Sequence, residues 1–291
     1  MAIQNKIDFA IIIVAENCNP NGDPLNGNRP RIDLKGFGEI TDVAIKRKIR
    51  NRFQDLGQQI FVQADERIDD GFKSLQERTR AYEELDKEIS KKKNADADLC
   101  RDIACKKWID VRAFGQVFAF KGYSASVGVR GAVSIGIAKT LEFVNIRSIQ
   151  ITKSTNATDQ EGKDASTMGT KHIIDKGVYV AYGSIFPQLA EKTGFSREDA
   201  DLLKEALRTL FENDASFFRP TGSMANALYW WEHKEPSDDY RLPSSAKVFR
   251  TLHLMPQDEY PYYSATVDPL DSVTLEAYDL YGDRINLSNV S

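Results

Sequence analysis

The sequence contains few of the residues from which metal centres and disulfide frameworks are built. Its three cysteines are Cys18, Cys100 and Cys105, and no Cys-x-x-Cys pair occurs. Its three histidines lie far apart, without the spacing of zinc ligands. An odd number of unpatterned cysteines argues against a disulfide framework. We therefore expect reduced thiols in a cytoplasmic protein, with Cys100 and Cys105 buried and with no metal and no other cofactor.

Long hydrophobic runs and common catalytic motifs are also absent. The longest apolar run covers residues 9–15, whereas a membrane span needs about 20 residues. No basic segment followed by a long apolar run opens the chain, which predicts no signal peptide and no membrane partner. The sequence has no P-loop, no G-x-S-x-G elbow and no dinucleotide-binding fingerprint. With 41% hydrophobic and 28% charged residues, it has the composition of a globular protein.

The charge is unevenly distributed along the 291 residues, although the net charge is only −4. Residues 29–52 contain eight lysines and arginines against three acids, whereas residues 232–291 contain eleven acids against five bases. A uniformly basic nucleic-acid binder is therefore excluded. The distribution favours a local basic groove and an acidic surface elsewhere.

A long loop follows the first apolar segment. Residues 7–14 read IDFAIIIV, which is typical of a central strand that is buried on both faces. Residues 16–31, ENCNPNGDPLNGNRPR, contain five asparagines, two glycines and three prolines. These residues set turns and tolerate positive φ, and loops of this length in compact domains are commonly functional. We expect this loop to have a defined shape.

A basic helix is predicted over residues 42–56, with Thr41 or Asp42 as its cap. Ile45, Ile49 and Phe53 recur at helical spacing and form one buried face. Lysines and arginines surround that face, and no acid falls between residues 43 and 54 to neutralise them locally. A phosphate-contacting role follows for the cations of this helix.

The remaining pattern predicts an α+β fold. Charged helical periodicity covers residues 72–93, and an amphipathic helix covers residues 196–212. Strands are predicted at 227–233 and 246–255, and the polar segment 152–172 is predicted to be a projecting hairpin or loop. The order strand, helix, several strands, helix, strand is that of a ferredoxin-like, RRM-type fold, which often provides an RNA-binding sheet.

Two alternatives remain open from the residues alone. Asp23, Asp33 and Asp42 could converge on Mg²⁺ in a metal-dependent ribonuclease. The basic helix could instead bind an acidic protein, which would make the chain a soluble scaffold. Cys18 could act as a nucleophile only beside a histidine, which the sequence does not suggest.

Five motifs in a fixed order resemble one known family. They resemble the backbone subunit of the type I-C CRISPR surveillance complex, Cascade, of the Cas-seven family in the RAMP superfamily. The likeness runs from residue 7 to about residue 255. The motifs are E-N-x-N-P-N-G-D-P at 16–24, N-x-P-R-x-D at 28–33, T-D-V-x-x-K-R-K-I-R-N at 41–51, D-V-R-x-F-G at 110–115 and M-G-x-K at 168–171.

The resemblance implies an RRM-like palm, a helical finger insertion and a thumb hairpin at 152–172. The expected segments are the first part of the palm at 1–64, the fingers at 65–109, the rest of the palm at 110–255 and an acidic C-terminal segment at 256–291. It also implies a protein that binds without cutting. Copies would stack head-to-tail in a filament on one CRISPR RNA, beside other Cascade subunits. The guide would pair with target DNA, and a separate helicase–nuclease would be recruited.

The resemblance also implies RNA-binding residues. Lys46 and Arg50 would contact phosphates, assisted by Arg47 and Lys48. The loop at Asn19 and Asn21 would shape the RNA groove. The other RNA contacts that it implies are Arg31 in the loop and Met168 and Lys171 in the thumb.

Overall fold

The computed structural model describes residues 1–91, 94–121, 123, 126–152, 168–214, 216, 218–235 and 243–286. Its strands are β1 (Ile7–Cys18), β2 (Gly22–Asp23), β3 (Arg29–Pro30), β4 (Phe37–Ile40), β5 (Gln116–Phe118), β6 (Val127–Val129), β7 (Val133–Ile135), β8 (Ala138–Phe143), β9 (Ile146–Thr152), β10 (Met168–Ile185), β11 (Met224–His233), β12 (Leu252–Pro256), β13 (Tyr263–Val267) and β14 (Val273–Tyr278). Its helices are α1 (Asp42–Asp55), α2 (Leu75–Ala81), α3 (Glu83–Ile89), α4 (Ala97–Lys107), α5 (Ile109–Phe114), α6 (Pro187–Thr193), α7 (Arg197–Arg208) and α8 (Ser245–Phe249).

A central antiparallel sheet organises the fold, with strand order β14-β11-β1-β10-β8-β4 and with β7 and β9 also paired to β10. β1 lies in the middle and is buried along nearly all its length, as its apolar sequence predicts. Along the chain, α1 follows β4, and α7 lies between β10 and β11. The α+β class is therefore confirmed as a mixed fold with an antiparallel sheet and helices.

The two faces of the sheet bury separate cores, because alternate residues of a strand point to opposite sides. From β1, Phe9 and Ile11 enter one core, and Ala10 and Ile12 enter the other. The helices α1 and α7 cover the first core, while α8 and the β12–β13 hairpin cover the second.

The two long predicted helices of the main core form for the predicted reasons. Thr41 is the N-cap of α1, and its hydroxyl accepts a hydrogen bond from the backbone N–H of Ala44. Ser196 and Asp199 form the reciprocal capping box of α7.

A third apolar cluster contains residues from Phe61 to Val129. It lies among α2, α3, α4 and the β5–β6 hairpin, which we call the helical module. The prediction of one helix over residues 72–93 is wrong, because Tyr82 leaves the helical conformation and separates α2 from α3. Its ring instead packs edge-on against Trp108, with ring centroids 5.5 Å apart.

The C-terminal part also differs from the sequence pattern. Residues 246–255 were expected to form one strand, but Ser244 caps the short helix α8 before β12 begins. The acidic segment after residue 256 is part of the fold, because β14 pairs with β11 at the edge of the central sheet.

The backbone after β6 passes close to the backbone of α5. A Cβ added to Gly131 would lie 2.3 Å from the carbonyl oxygen of Ala113, whereas one added to Gly128 would meet nothing within 4 Å. We therefore expect Gly131→Ala to lower the free energy of unfolding by about 1–3 kcal/mol, because the backbone must shift. Urea unfolding measures this, with Gly128→Ala as the matched control. Equal destabilisation by the two substitutions would contradict the close-contact argument.

Candidate functional site

The asparagine-rich loop after β1 is held in place by its own side chains. Asn19 is buried, and its amide donates to the carbonyl oxygen of Asn28 at 2.6 Å. The side-chain oxygen of Asn21 accepts from the backbone N–H and the hydroxyl of Thr41, at 3.0 and 3.1 Å. Of the two asparagines predicted to shape a groove, Asn19 thus joins two parts of the loop, and Asn21 fixes the loop against the start of α1.

The four predicted cations of α1 point in different directions. Lys46 pairs with Asp42 one turn away at 2.8 Å. The guanidinium of Arg50 donates to the fully buried carboxylate of Asp110 at 2.9 Å. These cations are therefore neutralised by acids that lie outside residues 43–54, so the interpretation of an unneutralised patch is wrong for Lys46 and Arg50.

Arg47 and Lys48 lie instead along a cleft of about 430 Å³, which we call the basic cleft. It lies between the loop after β1, one side of α1 and the segment that follows α7. Its lining residues are Pro20, Asn21, Ala44, Arg47, Lys48, Asn51, Glu66, Arg67, Asn213, Asp214, Ser216 and Arg219. Four cations and two carboxylates line it, so its formal charge is positive.

Lys48 is the most deeply placed cation of the basic cleft. Its ammonium pairs with Asp214 and lies 5.1 Å from the ring centroid of Phe211. Burial disfavours the charged amine and outweighs the attraction of Asp214, which lowers the pKa of Lys48 to about 8. Burial and the charge of Arg50 also lower the pKa of Arg47, whose guanidinium donates to the carbonyl oxygen of Val62 at 2.8 Å.

The remaining predicted contacts lie in the loop and on the arm formed by β9 and β10. Arg31 pairs with Asp23 at 3.3 Å. The ammonium of Lys171 lies 6.0 Å from the ring centroid of Phe218. Met168 pairs with Thr152 through the β9–β10 ladder, but its side chain lies outside the described residues, as do residues 153–167 of the predicted thumb.

The three carboxylates of the ribonuclease alternative are each bound to a cation. Asp23 pairs with Arg31, Asp42 with Lys46, and Asp33 with Lys139 at 3.1 Å. Within the described ranges, no group of three or more His, Cys, Asp or Glu side chains is placed to hold a metal ion. This arrangement does not favour the alternative.

All three cysteines are buried, which confirms the prediction for Cys100 and Cys105. Burial raises the pKa of the Cys18 thiol despite the nearby hydrogen bond to the carbonyl oxygen of Ser223. A thiol in this setting is a poor nucleophile. The helices that the structure describes include none with the length and apolarity that a membrane crossing requires.

Sequence reasoning missed the far wall of the basic cleft. Arg67 ends a short 3-10 turn, and Asp214 and Arg219 follow the end of α7, where no periodic pattern exists. Arg219 lies 3.4 Å from Asp214. The turn-forming residues Pro220 and Gly222 were the one local signal beside Arg219.

Comparison with known proteins gives consistent matches. A family model described as CRISPR-associated protein Cas7 matches residues 5–272. A CRISPR-associated protein Cas7 of Haloferax volcanii is 43% identical over 67 residues, which cover 23% of this chain and 20% of that relative. The alignment thus spans about a fifth of the curated relative.

Two solved structures are similar in fold. A chain of a "CRISPR RNA-guided surveillance complex, pre-nicking" has a TM-score of 0.52 and 16% identity, and the match covers 88% of this chain and 84% of that one. A chain of a "CRISPR RNA-guided surveillance complex" has a TM-score of 0.46 and 17% identity, with coverage of 88% and 77%.

Proposed function

We propose that this chain, which belongs to the Cas7 family of CRISPR-associated proteins, binds CRISPR RNA as a non-catalytic backbone subunit of a Cascade surveillance complex. The observation that carries the proposal is the basic cleft, where the asparagine-rich loop meets the cationic side of α1. The predicted cytoplasmic location is part of the proposal.

The basic cleft suits a phosphate backbone better than a base. Arg47 and Lys48 from α1 and Arg219 from the far wall supply cationic N–H donors to the cleft, and such donors form charge-assisted hydrogen bonds with phosphate oxygens. Asn19 and Asn21 shape the loop wall, with Arg31 beside them. Lys46 and Arg50 then support the helix through Asp42 and Asp110 more than they contact RNA.

The fold is compatible with an RRM-like palm that carries a finger insertion and a thumb. We assign the central sheet with α1 and α7 to an RRM-like palm, since β11, β1, β10 and β8 are neighbours in that order. The helical module is the finger insertion. The β9–β10 arm is the thumb, with Lys171 near its root and Met168 further out.

Repetition along one RNA would make the few cationic contacts of each subunit sufficient for tight binding. Copies of the chain would stack head-to-tail, as in type I-C complexes, because a heterologous interface that does not close gives a filament. Several sites on one RNA add avidity without any new contact. The acidic C-terminal part would face away from RNA. Other Cascade subunits, target DNA paired to the guide and a recruited helicase–nuclease complete this proposal.

A double substitution in the basic cleft tests the proposal. We expect Arg47→Gln/Arg219→Gln to weaken binding to a labelled single-stranded RNA by about tenfold near 0.1 M salt. The slope of log affinity against log salt should fall by about 1.4 per bound subunit, since each lost phosphate contact contributes about 0.7. Fluorescence anisotropy over a salt series measures both quantities.

The matched control removes two cations from exposed helical ion pairs of α3 and α4. Lys87→Gln/Arg101→Gln should leave affinity and slope within experimental error of the wild type. An equal loss in both variants would reject the basic cleft as the site. Unchanged RNA binding in the cleft variant would also reject the basic cleft as the site. A wild type that retains no RNA would favour the acidic-partner scaffold, and Mg²⁺-dependent RNA loss that Asp33→Ala abolishes would favour the ribonuclease.

A further inference from the structure

Arg29 joins the asparagine-rich loop to the root of the β9–β10 arm. Its terminal nitrogen Nη1 lies 3.3 Å from the hydroxyl of Ser148 and 3.3 Å from Nδ1 of His172. Ser148 and His172 are direct cross-strand partners, and the Ser148 hydroxyl lies 2.9 Å from the same Nδ1. The guanidinium of Arg29 is thus held beside the Ser148–His172 pair of the β9–β10 arm.

Neither partner of Arg29 carries a negative charge. An arginine can only donate hydrogen bonds, so Nδ1 of His172 is the acceptor in this contact. In the part of the chain that the structure describes, no carboxylate lies within 4.0 Å of a nitrogen of Arg29. Arg31, two residues later, pairs with Asp23. Arg29 is therefore positioned without being neutralised.

Arg29 belongs to the same loop as Asn21, which lines the basic cleft. The backbone N–H of Arg31 donates to the carbonyl oxygen of Asn21, and Arg29, two residues from Arg31, pairs with Asp23 in the β2–β3 ladder. Two residues of an extended chain span about 7 Å, a step comparable with the spacing of neighbouring phosphates. A nucleic-acid backbone that leaves the cleft along this part of the loop would reach Arg29.

We propose that Arg29 binds a phosphate group of the RNA at the root of the arm, and that Ser148 and His172 are positioning residues for it. The inference rests on the proposed RNA-binding function. A fixed guanidinium offers its remaining N–H groups as a fork, which matches two phosphate oxygens. Arg31, whose charge Asp23 already offsets, is not the phosphate contact of this loop.

Two substitutions two residues apart test the proposal, because each removes one arginine charge from the same loop. With the full chain and a labelled single-stranded RNA, Arg29→Gln should weaken binding about fivefold near 0.1 M salt. It should reduce the salt slope by about 0.7 per bound subunit. Arg31→Gln should stay within twofold of the wild type with an unchanged slope.

The outcomes distinguish a failure of the proposed RNA-binding function from a failure of the role proposed for Arg29. A wild-type chain that does not bind RNA would reject the proposed function, whatever the variants do. A wild type that binds RNA while Arg29→Gln and Arg31→Gln behave alike would reject only the role of Arg29. Loss of a protein subunit from the purified complex, with RNA affinity unchanged, would show that Arg29 instead meets an acidic protein surface and would also overturn the proposal.

The positioning role has its own test. His172→Phe removes the acceptor, so it should weaken RNA binding in the wild-type background but add nothing to Arg29→Gln. His172→Gln restores a side-chain acceptor and should recover most of the affinity. A purely structural role for His172 predicts additive losses and no recovery with glutamine, and that result would reject the positioning role.

Discussion

Asp110→Asn is expected to lower the free energy of unfolding by about 3–5 kcal/mol, as the loss of one partner from a buried ion pair commonly does. Asp110 has no exposed surface, and one of its oxygens accepts from the guanidinium of Arg50 at 2.9 Å. Its carboxylate also accepts from the backbone N–H groups of Phe61 and Val62, at 2.7 and 3.1 Å. The amide of asparagine would leave donors unpaired and Arg50 without its counter-charge.

Urea unfolding measures this loss, and Asp42→Asn provides the control. Asp42 pairs with Lys46 on the same helix at a partly exposed site, so its removal should cost about 0.5 kcal/mol or less. Equal costs for the two substitutions would contradict the structural role of Asp110. The result also decides how Arg50 variants are interpreted, since Arg50→Ala would reduce RNA binding through unfolding alone.

The local elements of the fold could be predicted because their signals lie within a few residues. Thr41 and the recurrence of Ile45, Ile49 and Phe53 define α1, and the structure has both. The uninterrupted apolar run of β1 predicted a central strand, and β1 lies between β10 and β11. Caps and hydrophobic periodicity are short-range properties, so a single sequence contains them.

The partners of the basic helix could not be predicted, because they come from distant parts of the chain. Arg50 meets Asp110 across 60 positions, and Lys48 meets Asp214 across 166. Helical spacing groups Lys46 with Arg50, yet it cannot say which distant acids pair with the cations or which side of the helix lines a cleft. Only the packing of α1 against its neighbours makes Arg47 and Lys48 the residues that face the basic cleft.

The predicted RNA groove uses the loop and the helix that line the basic cleft, but two of its predicted cations, Lys46 and Arg50, pair with Asp42 and Asp110 instead of lining that cleft. The loop was recognisable because asparagine, glycine and proline mark a specifically shaped turn. The far wall, with Arg219, depends on where the chain returns after α7. The assignment of RNA to this cleft stays a prediction that the cleft variants test.

RNA affinity is expected to fall about twentyfold between pH 7.5 and 9.5, because Lys48 loses its proton in the free protein within this range. Burial lowers the pKa of Lys48 to about 8, from an ordinary value of 10.5. A phosphate beside the amine would favour its charged form and restore a pKa near the ordinary value, so RNA binding would take up a proton above pH 8. Anisotropy titrations at fixed salt measure this dependence.

The stability of the RNA-free protein should change in the opposite direction over the same range. The unfolded chain keeps the Lys48 proton up to its ordinary pKa, so between pH 8 and 10.5 it binds more protons than the folded state. The free energy of unfolding therefore rises with pH, by about 2 kcal/mol from pH 7.5 to 9.5 for this one group. Lys48→Met should abolish both trends, whereas Lys87→Met on the exposed face of α3 should preserve them. If RNA affinity stays constant over this range while stability rises, Lys48 does not take up a proton on binding RNA, and a phosphate does not contact it.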